Sequence, residues 1–205
     1  MNDPSTEPVV TIGRQYGAGG RAVGRLVAER LGVPFYDREL LALAAEKSGL
    51  CEALFERHDE KPAEPAFLSA WAVPWHAAAS QPIGQQVFFA QFEAIRAAAA
   101  KGGCVIVGRC ADFVLDGRPN VLRVFLRAPL EKRIARIVER DGVDEAAARK
   151  RLRVAEKNRA AYYDYFTDRK WGAAETYDLC LNTARFPSDE AVADLVAAAA
   201  RSAFG

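Results

Sequence analysis

Between a β-branched run and a helical pattern lies "GRQYGAGGRAVG", residues 13–24. Glycines placed there can turn several backbone N–H groups toward one point, with the positive end of a helix dipole behind them. That is anion chemistry, and phosphate is the usual anion. The common form of such a loop is GxxxxGK[ST], in which lysine spans the outer phosphates and Ser/Thr holds magnesium. With Gly19 as the last glycine of the pattern, Arg14 takes the first position, Gly20 the lysine position and Arg21 the Ser/Thr position. The first lysine of the chain is Lys47, so the cation must come from Arg14, Arg21, Arg25 or elsewhere in the fold. Arg21 is the choice, because it opens the helix and a guanidinium can bridge two phosphate oxygens. The competing reading is a tight turn that uses glycine for close packing.

Three further stretches carry candidate chemistry. "YDR", 36–38, puts Asp37 beside Arg38 just past a short extended segment. Asp37 can accept from a sugar hydroxyl or base amine, or simply cap the next helix. "GRCAD", 108–112, sets Arg109 directly behind the apolar run "CVIV", where an arginine is expected to point into a crevice and bind an anion. "EKNRAAYYDYFTDRKWG", 156–172, gathers Lys157, Arg159, Arg169 and Lys170 around tyrosines, Phe166 and Trp171. Such a mixture can close over a nucleotide by stacking and charge, or its aromatics can pack on the domain.

These residues need a scaffold. "VVTIG" reads as a buried strand, and Val23, Leu26, Val27 and Leu31 follow a helical period that Gly32 stops. Further strands are expected at 33–37, 104–108, 121–126 and 177–182. Helices are expected over about 38–47, 84–100, from Pro129 as a first helical residue, over about 145–158 capped by Asp144, and after Ser188. Strands alternating with helices argue for an α/β fold with a parallel sheet flanked by helices. In such sheets ligands sit at the carboxyl ends of the strands, where "GRQYGAGGR", "YDRE" and "GRCAD" all fall.

Composition narrows the classes. The chain has 205 residues with 28 Lys/Arg and 27 Asp/Glu, so the overall balance does not point to nucleic acid or a membrane surface as the main partner. Four cysteines without CxxC spacing and two histidines far from them argue against a zinc site. No signal-like leader or long apolar run is present, so a cytoplasmic protein with reduced thiols is expected. Residues 1–8 read as a disordered leader, and 9–205 as a single domain.

Taken together, "TIGRQYGAGGRAVGRLVAERLGVPFYDREL", "FERHDEKP", "GCVIVGRCADFVL", "LRVFLRAPLEKRI" and "NRAAYYDYFTDRKWG" with "YDLCLN" resemble the cytidylate kinase-like proteins, a branch of the P-loop nucleoside monophosphate kinases. The resemblance covers about residues 9–187. It implies a P-loop NTPase-type sheet, a small acceptor-binding lobe at about 38–83 and a lid at about 141–172. It also implies ATP and Mg2+, with a nucleoside monophosphate such as CMP or dCMP as phosphoryl acceptor, and a monomer or homodimer. Gly-Gly-Arg in place of Gly-Lys is common in this branch. Carried over, Arg14, Gly17, Ala18, Gly19, Gly20, Arg21 and Ala22 bind the donor nucleotide. Asp37, Arg38, Arg109 and Asp112 approach the acceptor. Arg21, Arg109, Lys157 and Arg159 are the catalytic set. The Ser/Thr magnesium ligand is absent, so the metal ligand is not assigned. Two alternatives stay open: a kinase of another small-molecule acceptor, and a nucleotide-binding regulatory protein with impaired catalysis.

Overall fold

The computed structural model describes residues 7–37, 42, 44, 48 and 83–205. Five strands form one wholly parallel sheet in the order β2-β3-β1-β4-β5. They are β1 (Val9–Arg14), β2 (Phe35–Tyr36), β3 (Cys104–Val107), β4 (Val121–Arg127) and β5 (Leu179–Asn182). The described helices are α1 (Gly20–Leu31), α2 (Ile83–Ala100), the single turn α3 (Ala111–Val114), α4 (Leu130–Asp141), α5 (Glu145–Thr167) and α6 (Asp189–Phe204).

Alternation along the strands sorts the core into two layers, since successive side chains leave opposite faces. Val10, Ile12, Val105, Val107 and Val124 pack against α1 and α6. Val9, Cys104, Ile106 and Val121 pack against Ala94, Ile95 and Ala98 of α2. A sheet covered on both sides needs the near-continuous apolar strands seen in β1 and β3. Because all strands run the same way, the ends of β1, β2 and β3 deliver Arg14, Asp37 and Arg109 to one edge.

Several local signals work as the sequence suggests. Asp144 accepts from the Ala147 N–H at 2.7 Å and Ser188 from the Ala191 N–H, each capping its helix. Others differ. Pro129 is the residue before α4, extended at φ −54° and ψ 145°, and not its first helical residue. Glu7 and Pro8 already belong to the ordered chain: the Glu7 carboxylate accepts from the Gly103 N–H at 3.0 Å.

The largest difference is in α5, which runs nine residues beyond the expected end at 158. Tyr162, Tyr163 and Phe166 are buried with Phe88 and Cys110, and the Phe88 and Phe166 rings stack at 3.9 Å. Aromatic residues have modest helix propensity, and burial of their rings overrides it. The helix expected over 38–47, the acceptor lobe over 38–83 and Arg38 lie outside the described residues, apart from Ala42, Ala44, Ser48 and Ile83. No helix among the described residues is long and apolar enough to cross a membrane.

Candidate functional site

The glycine loop, residues 15–19, joins β1 to α1. Its conformation depends on glycine at two points. Gly17 (φ 83°) and Gly19 (φ 87°) are left-handed, and each presses on α4. A Cβ at Gly17 would lie 2.7 Å from the Arg133 carbonyl oxygen, and one at Gly19 would collide with the Arg136 guanidinium. The loop is fastened to β4 as well: Gln15 N–H donates to the Leu126 carbonyl at 2.9 Å, and its side-chain oxygen accepts from Ala128 N–H at 3.1 Å.

Gly19 caps α1 without any side-chain hydrogen bond, and the first turn of the helix holds no acidic residue. The first-turn N–H groups of an α-helix have no carbonyl one turn earlier to bond. The N-terminus of this twelve-residue helix borders the cleft, with Arg136 and Asp189 packed against Gly19.

Below the loop, one carboxylate gathers two arginines. Asp37, 8% exposed, meets Arg21 Nε at 3.2 Å through Oδ2 and Arg109 Nη1 at 3.3 Å through Oδ1. Asp37 sits at the end of β2 as an ion-pair partner of residues from α1 and from the β3 exit. Arg109 reaches it by an uncommon backbone path: Gly108, Arg109 and Cys110 are left-handed in succession, at φ 77°, 56° and 56°. Left-handed geometry costs a non-glycine residue about 1–2 kcal/mol, and it concentrates at functional sites. Here it folds Arg109 back so that Nη1 also donates to the Val107 carbonyl at 3.2 Å.

The cleft above this floor has a volume of about 1090 Å³. Arg14, Gly17, Gly19, Gly20, Arg21, Ala22, Asp37, Arg109 and Arg159 all line it, so the strand ends bring most of the expected residues together. Ala18 is buried beneath the loop. Lys157 is exposed and not on the cleft wall, whereas Arg159, two residues further along α5, lines the cleft and donates to the Arg14 carbonyl at 3.3 Å. Asp112 lines an adjoining cavity of about 20 Å³ and accepts from the Tyr163 hydroxyl at 2.5 Å. Burial pushes its carboxyl above the ordinary carboxylate range, with the Tyr163 hydrogen bond opposing.

The opposite wall comes from α4 and α5. Arg136, Arg140 and Arg151 line the cleft, and none of them is among the residues singled out from sequence. A readable signal exists nonetheless: Arg133, Arg136 and Arg140 recur at spacings of three and four and so share one face of α4. Arg133, inside that row, is structural. It donates to the Ala128 carbonyl at 2.9 Å and to Glu156 at 2.6 Å, tying α4 to α5.

For magnesium, the donor set is thin. Among the described residues no three Asp, Glu, His or Cys side chains converge as a cage, and Asp37 is already shared by two arginines. Magnesium commonly keeps several waters and enters with substrate phosphates, so it belongs to the nucleotide as much as to the protein.

The sequence profile of the cytidylate kinase-like family matches residues 9–185. This chain belongs to the cytidylate kinase-like family. A cytidylate kinase of Methanopyrus kandleri is 29% identical over 203 residues, covering 95% of this chain and 94% of that protein. An uncharacterized protein from Eubacterium ventriosum has a similar solved structure, with TM-score 0.67, 26% identity and coverage of 96% of this chain and 99% of that one. The shikimate kinase of Acinetobacter baumannii shares the fold at TM-score 0.53 and 18% identity, with 97% of this chain and 95% of that one aligned. The parallel sheet flanked by helices is the fold this chain shares with that shikimate kinase.

Proposed function

We propose that this family member transfers the γ-phosphoryl group of ATP to a nucleoside monophosphate, with CMP and dCMP the first acceptors. One observation carries the reading: the N-terminus of α1 and the Arg21–Asp37–Arg109 cluster share one arginine-lined cleft at the carboxyl ends of the strands. Phosphoryl transfer asks little covalent chemistry of a protein. It needs donor and acceptor aligned and the charge on the moving group neutralised.

In this proposal the N–H groups of Gly17 and of residues 19–22 cradle the donor phosphates, while that of Ala18 is taken by the Gln15 carbonyl at 3.2 Å. Arg21, half exposed beside them, swings its guanidinium from Asp37 onto those phosphates in place of a lysine. Arg109, held on the cleft floor, takes the acceptor phosphate with Asp37 beside it, and the family resemblance alone assigns Arg38 to the acceptor. The α4–α5 arm acts as the lid, and Arg159 is its contribution to the transferred group. Lys157 and Asp112, off the cleft wall, drop to supporting positions. Magnesium, brought with the nucleotide, would add charge neutralisation at the phosphates.

A coupled ADP-release screen across CMP, dCMP, UMP, AMP and non-nucleotide acceptors tests the reading. Turnover of CMP or dCMP is the expected result. Turnover of only another acceptor would overturn the substrate and keep the kinase. Gly20 and Arg21 at the lysine and Ser/Thr positions favour one second reading, a nucleotide-binding regulator. Calorimetric binding of ATP without turnover of any acceptor would establish that one instead.

A further inference from the structure

Tyr16 is a residue of the glycine loop itself, and it is the meeting point of two arginines from two different helices. The Arg140 guanidinium of α4 lies over its ring at 5.2 Å and donates from Nη2 to its hydroxyl at 2.9 Å. The Arg159 guanidinium of α5 lies over the same ring at 5.4 Å. Both arginines line the cleft, as Tyr16 does. The Tyr16 carbonyl accepts from Arg133 at 3.4 Å, which keeps the backbone of this loop residue against α4.

Two like charges brought to one aromatic ring repel each other, and the Asp141 carboxylate, 2.7 Å from Arg140, offsets part of that charge. The ring's negative face offsets part of the rest. Such an arrangement is useful where a polyanion enters between the cations. Long arginine side chains otherwise lose rotamer freedom when they meet a ligand, and holding them beforehand lowers that cost. The loop has no lysine of its own, so cations placed above it from α4 and α5 fill a specific need.

We infer that Tyr16 is a positioning residue: its ring and hydroxyl hold Arg140 and Arg159 over the glycine loop, so that these two guanidiniums supply the charge the loop lacks. The ligand this arrangement fits is a linear polyphosphate chain such as that of a nucleoside triphosphate. The inference deepens the phosphoryl-transfer reading and rests on it for its biological purpose. A purely structural role is the competing account, because the Tyr16 ring also packs against the apolar seam of Ile134, Ile137 and Leu152 between α4 and α5.

Calorimetry with inorganic tripolyphosphate separates the two, because it reads the cations without requiring turnover. Tyr16→Leu, which keeps apolar contact but loses the ring and hydroxyl, is expected to weaken tripolyphosphate binding about tenfold at constant ionic strength. Tyr16→Phe, which keeps the ring, is expected to stay within about threefold of the parent. In a background already carrying Arg140→Gln and Arg159→Gln, Tyr16→Leu is expected to change the affinity by less than about twofold, since nothing remains for it to position. Circular dichroism melts establish that each variant is folded, and Tyr16→Phe against Tyr16→Leu remains decisive if one background melts early.

Equal binding by Tyr16→Leu and the parent overturns the inference, as does an undiminished tenfold loss in the double-arginine background or a parent protein that does not bind tripolyphosphate. Should the expected pattern appear while no acceptor is turned over, Tyr16 keeps its positioning role and the kinase reading fails. Should turnover be found with Tyr16→Leu indistinguishable from the parent in binding, the kinase reading stands and the inference fails.

Discussion

Arg109 and Arg140 line the same cleft in opposite surroundings. The Arg109 side chain is 2% exposed, strung between the Asp37 carboxylate and the Val107 carbonyl. That of Arg140 is 51% exposed, paired with Asp141 and leaning on Tyr16. A guanidinium out of water depends on its counter-ion and acceptors, and removing one partner of a buried pair is strongly destabilising. One in solvent loses little when its partner goes, because water and salt replace the carboxylate. The floor of the cleft is thus held rigidly by the fold, while the wall is built from half-exposed charges whose partners water can replace at low cost.

The largest expected effect tests the residue between these regimes. Arg21 is half exposed yet tied to the floor through Asp37. Arg21→Ala is expected to lower kcat by about 10³-fold, the scale seen when an arginine that neutralises phosphoryl transfer is lost, with the melting temperature almost unchanged. Wild-type rates in that variant would remove Arg21 from the mechanism.

Stability then measures the floor against the wall directly. Asp37→Ala removes the carboxylate that Arg109 and Arg21 share, and a loss of about 3 kcal/mol in urea unfolding is expected. A loss below about 1 kcal/mol would mean that Arg109 is well solvated or held by other acceptors, and the contrast drawn here would fail.

Asp112 sharpens the comparison through pH. Its folded pKa is raised above the unfolded value because burial disfavours the charged form. For a group shifted this way, the stabilising contribution is complete below the unfolded pKa and is lost as pH rises through the folded one. Asp112→Asn cannot ionise, so its stability relative to wild type should improve as pH rises above the ordinary carboxylate pKa of about 4. Parallel stability curves for the two proteins would show that the carboxyl is not held in its neutral form.

The smallest effect is expected on the wall. Asp141 pairs with both Arg140 and Arg151, at 2.7 and 3.0 Å, but both arginine side chains are half exposed. Asp141→Ala should cost less than about 1 kcal/mol, and less still at high salt. A loss as large as that of Asp37→Ala would erase the distinction between floor and wall.

What could be read from sequence follows the range of the interactions involved. The glycine loop, the caps Asp144 and Ser188, and the apolar run of β3 are local signals, and the structure contains each of them. The end of α5 was not legible, because Tyr162, Tyr163 and Phe166 are held helical by contacts with Phe88, seventy-odd residues away in the chain. Arg136, Arg140 and Arg151 look in sequence like an ordinary solvated helix face. Only the packing of α4 beside Gly17 and Gly19, with Arg151 of α5 paired to Asp141 of α4, brings these arginines to the cleft over the glycine loop. Lys157 and Arg159 show the limit most plainly: two residues apart on one helix, they differ by about 200° of rotation, and only Arg159 meets the cleft.

The sequence by itself determined the alternation of strands and helices, a glycine loop between the first strand and helix that holds no lysine, and membership in a family whose motifs recur in order along the chain. Those depend on local periodicity, on glycine's freedom at positive φ and on residue identity. Tertiary structure alone decided which cations surround that loop, that Asp37 joins Arg21 to Arg109, and that Arg136, Arg140, Arg151 and Arg159 of α4 and α5 line the same cleft. The physical reason is that an arginine's role depends on what it faces. Facing is set by packing between elements far apart in sequence, where short-range pattern carries no information.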